Sequence, residues 1–251
     1  MSQAPLFAYA GARLLVRHGQ RPGAEDWQRL EGVGDFGHYL QIARDTGLER
    51  FVRHIGNAAG PHEVERALSG AWRRHVQEVA AWQPGPWRPA LRWLAVASEL
   101  PALSHLAEDR PMPDWMTDLP LTGTAMQHSG TSPLRALTQG AATPLFKDDR
   151  PAGDSLWQRA LRHWHTLLPS RPRRFRTEVE GLASALEDYR QAVAAGSPNA
   201  DAHLARILRR SLRQHSQEPA AAYAYLGLVA LDLQRLRGEL LVRRLLPVRA
   251  A

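Results

Sequence analysis

This 251-residue sequence predicts an all-α fold, a multi-helix bundle with little or no sheet. Three observations carry that prediction. Apolar residues recur at steps of three and four along most of the chain, the spacing that lines one face of a helix. β-Branched residues never alternate with polar ones over a long run, as a half-buried strand requires. Prolines stand at the ends of the periodic stretches, where helices start and stop.

Taken in order, the first helix is expected over 5–18, with shorter ones over 24–31, 35–45 and 48–55. Gly60-Pro61 opens a longer helix, because proline at the first helical position loses no hydrogen bond. Its row Val64, Leu68, Trp72 (or Ala71), Val76 and Val79 forms one buried stripe. Gln83-Pro84-Gly85-Pro86 ends it, and the next helix runs over 87–100. Residues 1–109 are thus an N-terminal helical unit, with a short helix at 102–109. From 110 to 150, prolines at 111, 113, 120, 133 and 144 break any periodic run, so a proline-rich connection is expected. Residues 151–251 form a basic helical unit. It starts from Asp154 or Ser155 as N-cap, with Leu156, Ala160, Trp164 and Leu167 on one face. A helix over 173–195 turns Val179, Leu182, Leu186, Tyr189 and Val193 inward. Ser197-Pro198 signals another, carrying Leu204, Ile207, Leu208 and Leu212. The last helix, from Pro219 to about 246, is apolar all round from Ala220 to Leu231. Twelve residues rise only about 18 Å, too short for a bilayer, so a buried core helix is expected.

The net charge is +7. Residues 1–149 carry 15 basic and 16 acidic residues, whereas 150–251 carry 17 and 9. The excess therefore lies in the second half, as suits a face meeting an acidic partner. Lys147 is the only lysine, and the arginine and alanine bias also fits GC-rich coding. There is no cysteine, which excludes disulfides and thiolate chemistry and fits a reducing compartment. No cationic segment leads into an apolar core at the N-terminus, so a cytoplasmic location is expected.

Gly32-Val33-Gly34-Asp35-Phe36-Gly37 has the letters of a dinucleotide fingerprint, but a helix precedes it where the motif needs a strand. A turn between helices is the simpler reading. His163 and His165 stand about 200° apart around a helix and cannot share a metal. No HExxH or GxSxG occurs, and no catalytic residue, metal site or cofactor is expected. Eight tryptophans, at 27, 72, 82, 87, 93, 115, 157 and 164, fall mostly at apolar helical positions, which suits core packing better than base stacking. Arg171, Arg173, Arg174 and Arg176 cluster at a helix N-terminus, where the dipole disfavours them, and this favours a partner-facing role.

Two stretches go beyond composition. Tyr9-Ala10-Gly11-Ala12-Arg13-Leu14-Leu15-Val16-Arg17 leads into Trp27-Gln28-Arg29-Leu30 and then Tyr39-Leu40 and Thr46. This resembles the opening of the V-type ATPase subunit called C in archaeal-type enzymes and d in eukaryotic ones, with its Y-x-x-A-R helix. Val64-Glu65-Arg66-Ala67-Leu68 is similar to the E-x-x-L start of that family's next long helix. Tyr223-Ala224-Tyr225-Leu226-Gly227-Leu228, running on to Asp232-Leu233-Gln234-Arg235-Leu236-Arg237-Gly238-Glu239, resembles its terminal helix, where an acidic residue is followed by an x-x-L-R stretch. Trp157, Trp164 and Pro169 resemble a shorter bacterial branch. The resemblance spans about two-thirds of the chain through short, mostly apolar motifs. The family's D-x-x-N-L element would fall at Val96-Ala97-Ser98-Glu99-Leu100, which has neither its Asp nor its Asn.

The resemblance implies a bundle of similar helical subdomains, one of them abbreviated around the proline-rich middle. It implies a non-catalytic subunit, peripheral on the inner face of the membrane, that seats the central stalk on the membrane rotor ring for proton or sodium transport. The expected partners are those other ATPase subunits, with no small-molecule substrate. The expected interface residues are Tyr9, Arg13, Arg17, Arg171, Arg173, Arg174, Tyr225, Asp232, Arg235 and Arg237. Asp232 is within reach of Arg235 as a local surface pair, which leaves Arg237 to face another element or subunit. The alternative is a stand-alone basic module binding nucleic acid through residues 197–217, with Arg206, Arg209, Arg210 and Arg213 exposed.

Overall fold

The computed structural model describes residues 4–108, 110, 111, 113, 116, 119, 121, 142–146 and 155–246, and among them there is no strand. The chain is all-α, and its first seven helices precede the proline-rich segment. These are α1 (Ala4–Gly19), α2 (Ala24–Glu31), α3 (Phe36–Arg44), α4 (Glu49–Val52), α5 (Pro61–Trp82), α6 (Arg88–Trp93) and α7 (Leu100–Ala107). They are followed by α8 (Thr143–Phe146), α9 (Leu156–Leu167), α10 (Arg173–Ala194), α11 (Ala200–Gln214) and α12 (Pro219–Leu245). Most of the expected connection over 110–150 lies outside the described residues, as does Trp115.

Local signals explain most of the helix ends. Gly60 and Pro61 start α5 as the sequence predicts, and Glu63 folds back onto the Gly60 amide at 2.7 Å. Ser155, rather than Asp154, caps α9 by accepting from the Gln158 amide. The helix expected over 48–55 is only one turn long, because Ile55 already bonds back to the Val52 carbonyl, three residues away. The helix expected from Pro198 begins instead at Ala200. Gly196, at φ 74°, ends α10 with the Ser197 amide on the Ala192 carbonyl and its own amide on Val193. That closing motif uses up the residues that would have begun the next helix.

The central helix is α12, packed by α1, α3, α5, α10 and α11. Its stretch from Pro219 to Leu226 is buried on every side. The main core draws on both sides of the proline-rich segment, from Phe7, Leu14 and Tyr39 to Leu208, Leu228 and Leu240. A smaller core gathers Leu103, Leu106 and Leu145 around Leu156. Buried Glu99 joins it to α5, bonding Arg73 at 3.1 Å and the Leu121 amide at 2.9 Å. Burial lifts the Glu99 carboxyl above its usual range, and the Leu121 amide and Arg73 offset this in part.

One contact sets how closely α1 approaches the turn that leads into α12. A β-carbon on Gly11 would overlap the Ser216 carbonyl, so only glycine permits that approach.

Candidate functional site

The N-terminal stretch 9–46 and the terminal stretch 223–239 meet in space, with α1 and α3 lying against α12. Their junction is Asp232, which is buried to 9% exposure in an otherwise apolar run. Its carboxylate accepts two bonds from Arg21, at 2.7 and 2.9 Å, and Arg21 also donates to the Leu228 carbonyl at 3.1 Å. Burial raises the Asp232 carboxyl, and Arg21 counters this only in part. The expected local pair with Arg235 is therefore corrected: Asp232 bonds α1's end, 211 residues away in sequence. Arg235 instead reaches Glu31 and lies 4.3 Å from the centre of the Trp27 ring. Arg237 bonds Glu65 on α5 at 2.5 Å. Further along α12, Arg243 donates to the Val33 and Leu30 carbonyls, and Arg244 to Ala58. The second half of α12 is thus pinned to the N-terminal helices by a ladder of arginines.

The other expected interface residues fall into separate places. Tyr225 is 1% exposed and turns inward, its ring 5.5 Å from His75. Burial pushes its phenol up to about 12. Tyr9 is 60% exposed on α1 and lies under the Arg13 guanidinium, which also covers Trp82. Arg17 bonds Glu78 at 2.7 Å. Tyr9, Arg13 and Val16 share one helical face, beside exposed Leu15. Arg171 and Arg173 are exposed, whereas Arg174 pairs with Glu178 and Glu218.

The motif positions sort similarly. The glycines at 32–37 form a turn between α2 and α3, where Asp35 caps α3 by accepting from the His38 amide. His163 packs on Trp93 and His165 on Trp164, on different sides of α9. Trp27, Trp72, Trp87 and Trp164 are buried. Arg206, Arg209, Arg210 and Arg213 are exposed on α11. Arg209 and Arg213 lie near enough to His18 to help burial and Arg21 lower its pKa.

Two features escaped the sequence reading. Glu178, His215 and Glu218 converge where α10 meets the α11–α12 turn, their ligand atoms within 4.8 Å of one another. His215 and Glu218 are three apart, a visible spacing, but Glu178 comes from another helix. Arg174 occupies Glu218, so a divalent cation would have to displace it. Burial and the adjoining Glu218 raise the Glu178 carboxyl, and His215 and Arg174 offset this in part.

The second feature is an apolar chamber of about 230 Å³, half enclosed by α5, α6, α9, α10, α11 and α12. Trp72, Trp93, Trp157 and Trp164 line it, with Leu186 and Leu231. Three of these indoles are satisfied: Trp72 on the Leu94 carbonyl, Trp93 on Ala160 and Trp157 on Glu187. Trp164 and Tyr223 complete the wall, with the Trp164 Nε1 and Tyr223 hydroxyl atoms sealed from the chamber and the indole offsetting part of the burial that raises the phenol.

No family model, curated protein or solved structure matches this chain.

Proposed function

We propose that this chain is a non-catalytic coupling subunit of a V-type rotary ATPase, seated between the central stalk and the membrane rotor ring. One observation carries the reading. The stretches that resemble the family, far apart in sequence, pack together around Arg21 and Asp232 and make one stiff unit. A part that passes torque needs such stiffness, and charge-assisted bonds between distant helices supply it. The face of α1 bearing Tyr9, Arg13 and Val16 is the docking surface, because it sets exposed aromatic and aliphatic groups beside a cation. Among the described residues no helix is long and apolar enough to cross a membrane, so attachment to the ring is peripheral in this proposal.

The test is affinity purification of the tagged chain from gently solubilised membranes of its native cell. Stalk and ring subunits are expected in fixed ratio, and Val16→Asp should release them while leaving the melting temperature of the isolated chain unchanged. Purification of an intact rotary ATPase without this chain would overturn the proposal.

A further inference from the structure

We infer that the chamber between α9, α10 and α12 binds a neutral, apolar small molecule. The inference is independent of the docking proposal and rests on three properties of the walls.

The first is size. A cavity of about 150 Å³ lined by aliphatic and aromatic groups holds a benzene ring. This one, at about 230 Å³, has room for two fused rings or a chain of about ten carbons. It lies between helices of a bundle, a common place for ligands.

The second is charge. The lining contains no charged side chain, and its polar members besides the indoles are Tyr189, Tyr223 and Gln234. Tyr189 and Gln234 already bond one another, and Tyr189 also bonds Asp201. An ionised ligand would lose its hydration here without gaining a counter-charge, so the occupant is neutral.

The third is that the wall leaves no polar atom open to a ligand. The indoles of Trp72, Trp93 and Trp157 are bonded to Leu94, Ala160 and Glu187. Trp164 Nε1 and the Tyr223 hydroxyl are sealed from the chamber, and their rings meet edge to face at 5.6 Å. Burial raises the Tyr223 phenol, and the Trp164 indole beside it offsets this in part. A polar group on the ligand would lose its water and find no partner, so the occupant is apolar throughout.

The four indoles in the wall report occupancy directly, because a bound aromatic quenches their fluorescence. The full chain is titrated with 2-acetylnaphthalene, naphthalene and 2-naphthoate, with calorimetry as a second readout. Saturable one-to-one binding is expected for the first two, and the hydrocarbon should bind at least as tightly as the ketone, because the walls leave the carbonyl without a donor. The naphthoate should bind weakest. Ala183→Trp fills the chamber from α10 and should weaken both probes at least about tenfold, roughly the loss of 1.4 kcal/mol. Ala230→Trp does the same from α12 if the first variant does not fold. Absence of saturable binding by any probe overturns the site, as does unchanged affinity in a folded blocking variant. Tightest binding by the naphthoate overturns the assignment of a neutral ligand.

Discussion

The two flanks of α12 are built from similar residues and packed very differently. Tyr225, Val229, Asp232, Leu236 and Leu240 form one row, at helical spacing, and all are buried. On this flank Arg21 clasps Asp232, and where α1 meets the turn that leads into α12, Gly11 leaves no room for a side chain. The opposite row, Leu226, Ala230, Leu231 and Gln234, faces the chamber and leaves space unfilled. Apolar composition brought both rows inside, but complementary shape closed only one of them. The difference teaches that a helix apolar all round need not be packed equally all round.

The largest expected effect tests the closed flank. Arg21→Ala leaves a buried carboxylate without its partner and should cost about 3–5 kcal/mol in urea unfolding. Replacing both partners with apolar residues, Arg21→Met with Asp232→Leu, should recover most of that or more. A cost below about 1 kcal/mol for Arg21→Ala would show that the clasp does not hold this flank shut.

Next in size is a matched pair of truncations. Leu236→Ala, fully buried on the closed flank, should cost about 2–5 kcal/mol. Leu186→Ala, which only enlarges the existing chamber, should cost less than about 2 kcal/mol. Equal costs would erase the contrast.

Acid tests the closed flank in another way. His75 is 4% exposed between Phe51 and Tyr225, and its Nε2 has no partner. Burial first, then Arg50 and Arg17, lowers its pKa from 6.5 to about 4. The unfolded chain therefore binds this proton more readily than the native one, and stability falls as pH drops from 6.5 toward 4. The full loss is about 3 kcal/mol. Asp232 and Glu99, whose carboxyls burial raises, act in the opposite sense. The His75 share is thus the difference in acid slope between the native chain and His75→Phe. No difference would mean that the imidazole is hydrated in the native state.

The smallest effect lies on the open flank. Trp93→Phe removes one indole bond, to the Ala160 carbonyl at 2.9 Å, and should cost about 1 kcal/mol by thermal unfolding.

Much of this was legible in the residues, and the limits follow from what periodicity can encode. The row Val64, Leu68, Trp72, Val76 and Val79 is buried as its spacing predicts, because period 3.6 reports a buried face directly. The apolar run at the start of α12 identified the central helix for the same reason. Leu233 is only half buried, since the helix rotates it off the flank that holds Asp232 and Leu236. Arg21 drew no notice, because an ion pair between distant helices leaves no local pattern. Asp232 did leave a sign: an acid inside an apolar row asks for a partner, and the nearest arginine in sequence was the wrong one. The chamber had no signature at all. Trp164 and Tyr223 read as ordinary core aromatics, and only three-dimensional packing shows the space beside them.

The clasp on α12 also has a temporal side. Arg21 and Asp232 are 211 residues apart, and a ribosome adding about 5–20 residues per second takes roughly 10–40 s to travel between them. Late in that interval Phe7, Leu14 and Val76 have all been synthesised, but the central helix of their shared core has not. Helices form in about a microsecond, so α1 and α5 wait with their sticky faces in water. The hazard for the newborn chain is therefore aggregation during synthesis, and it is governed by translation speed rather than by the stability of the finished bundle.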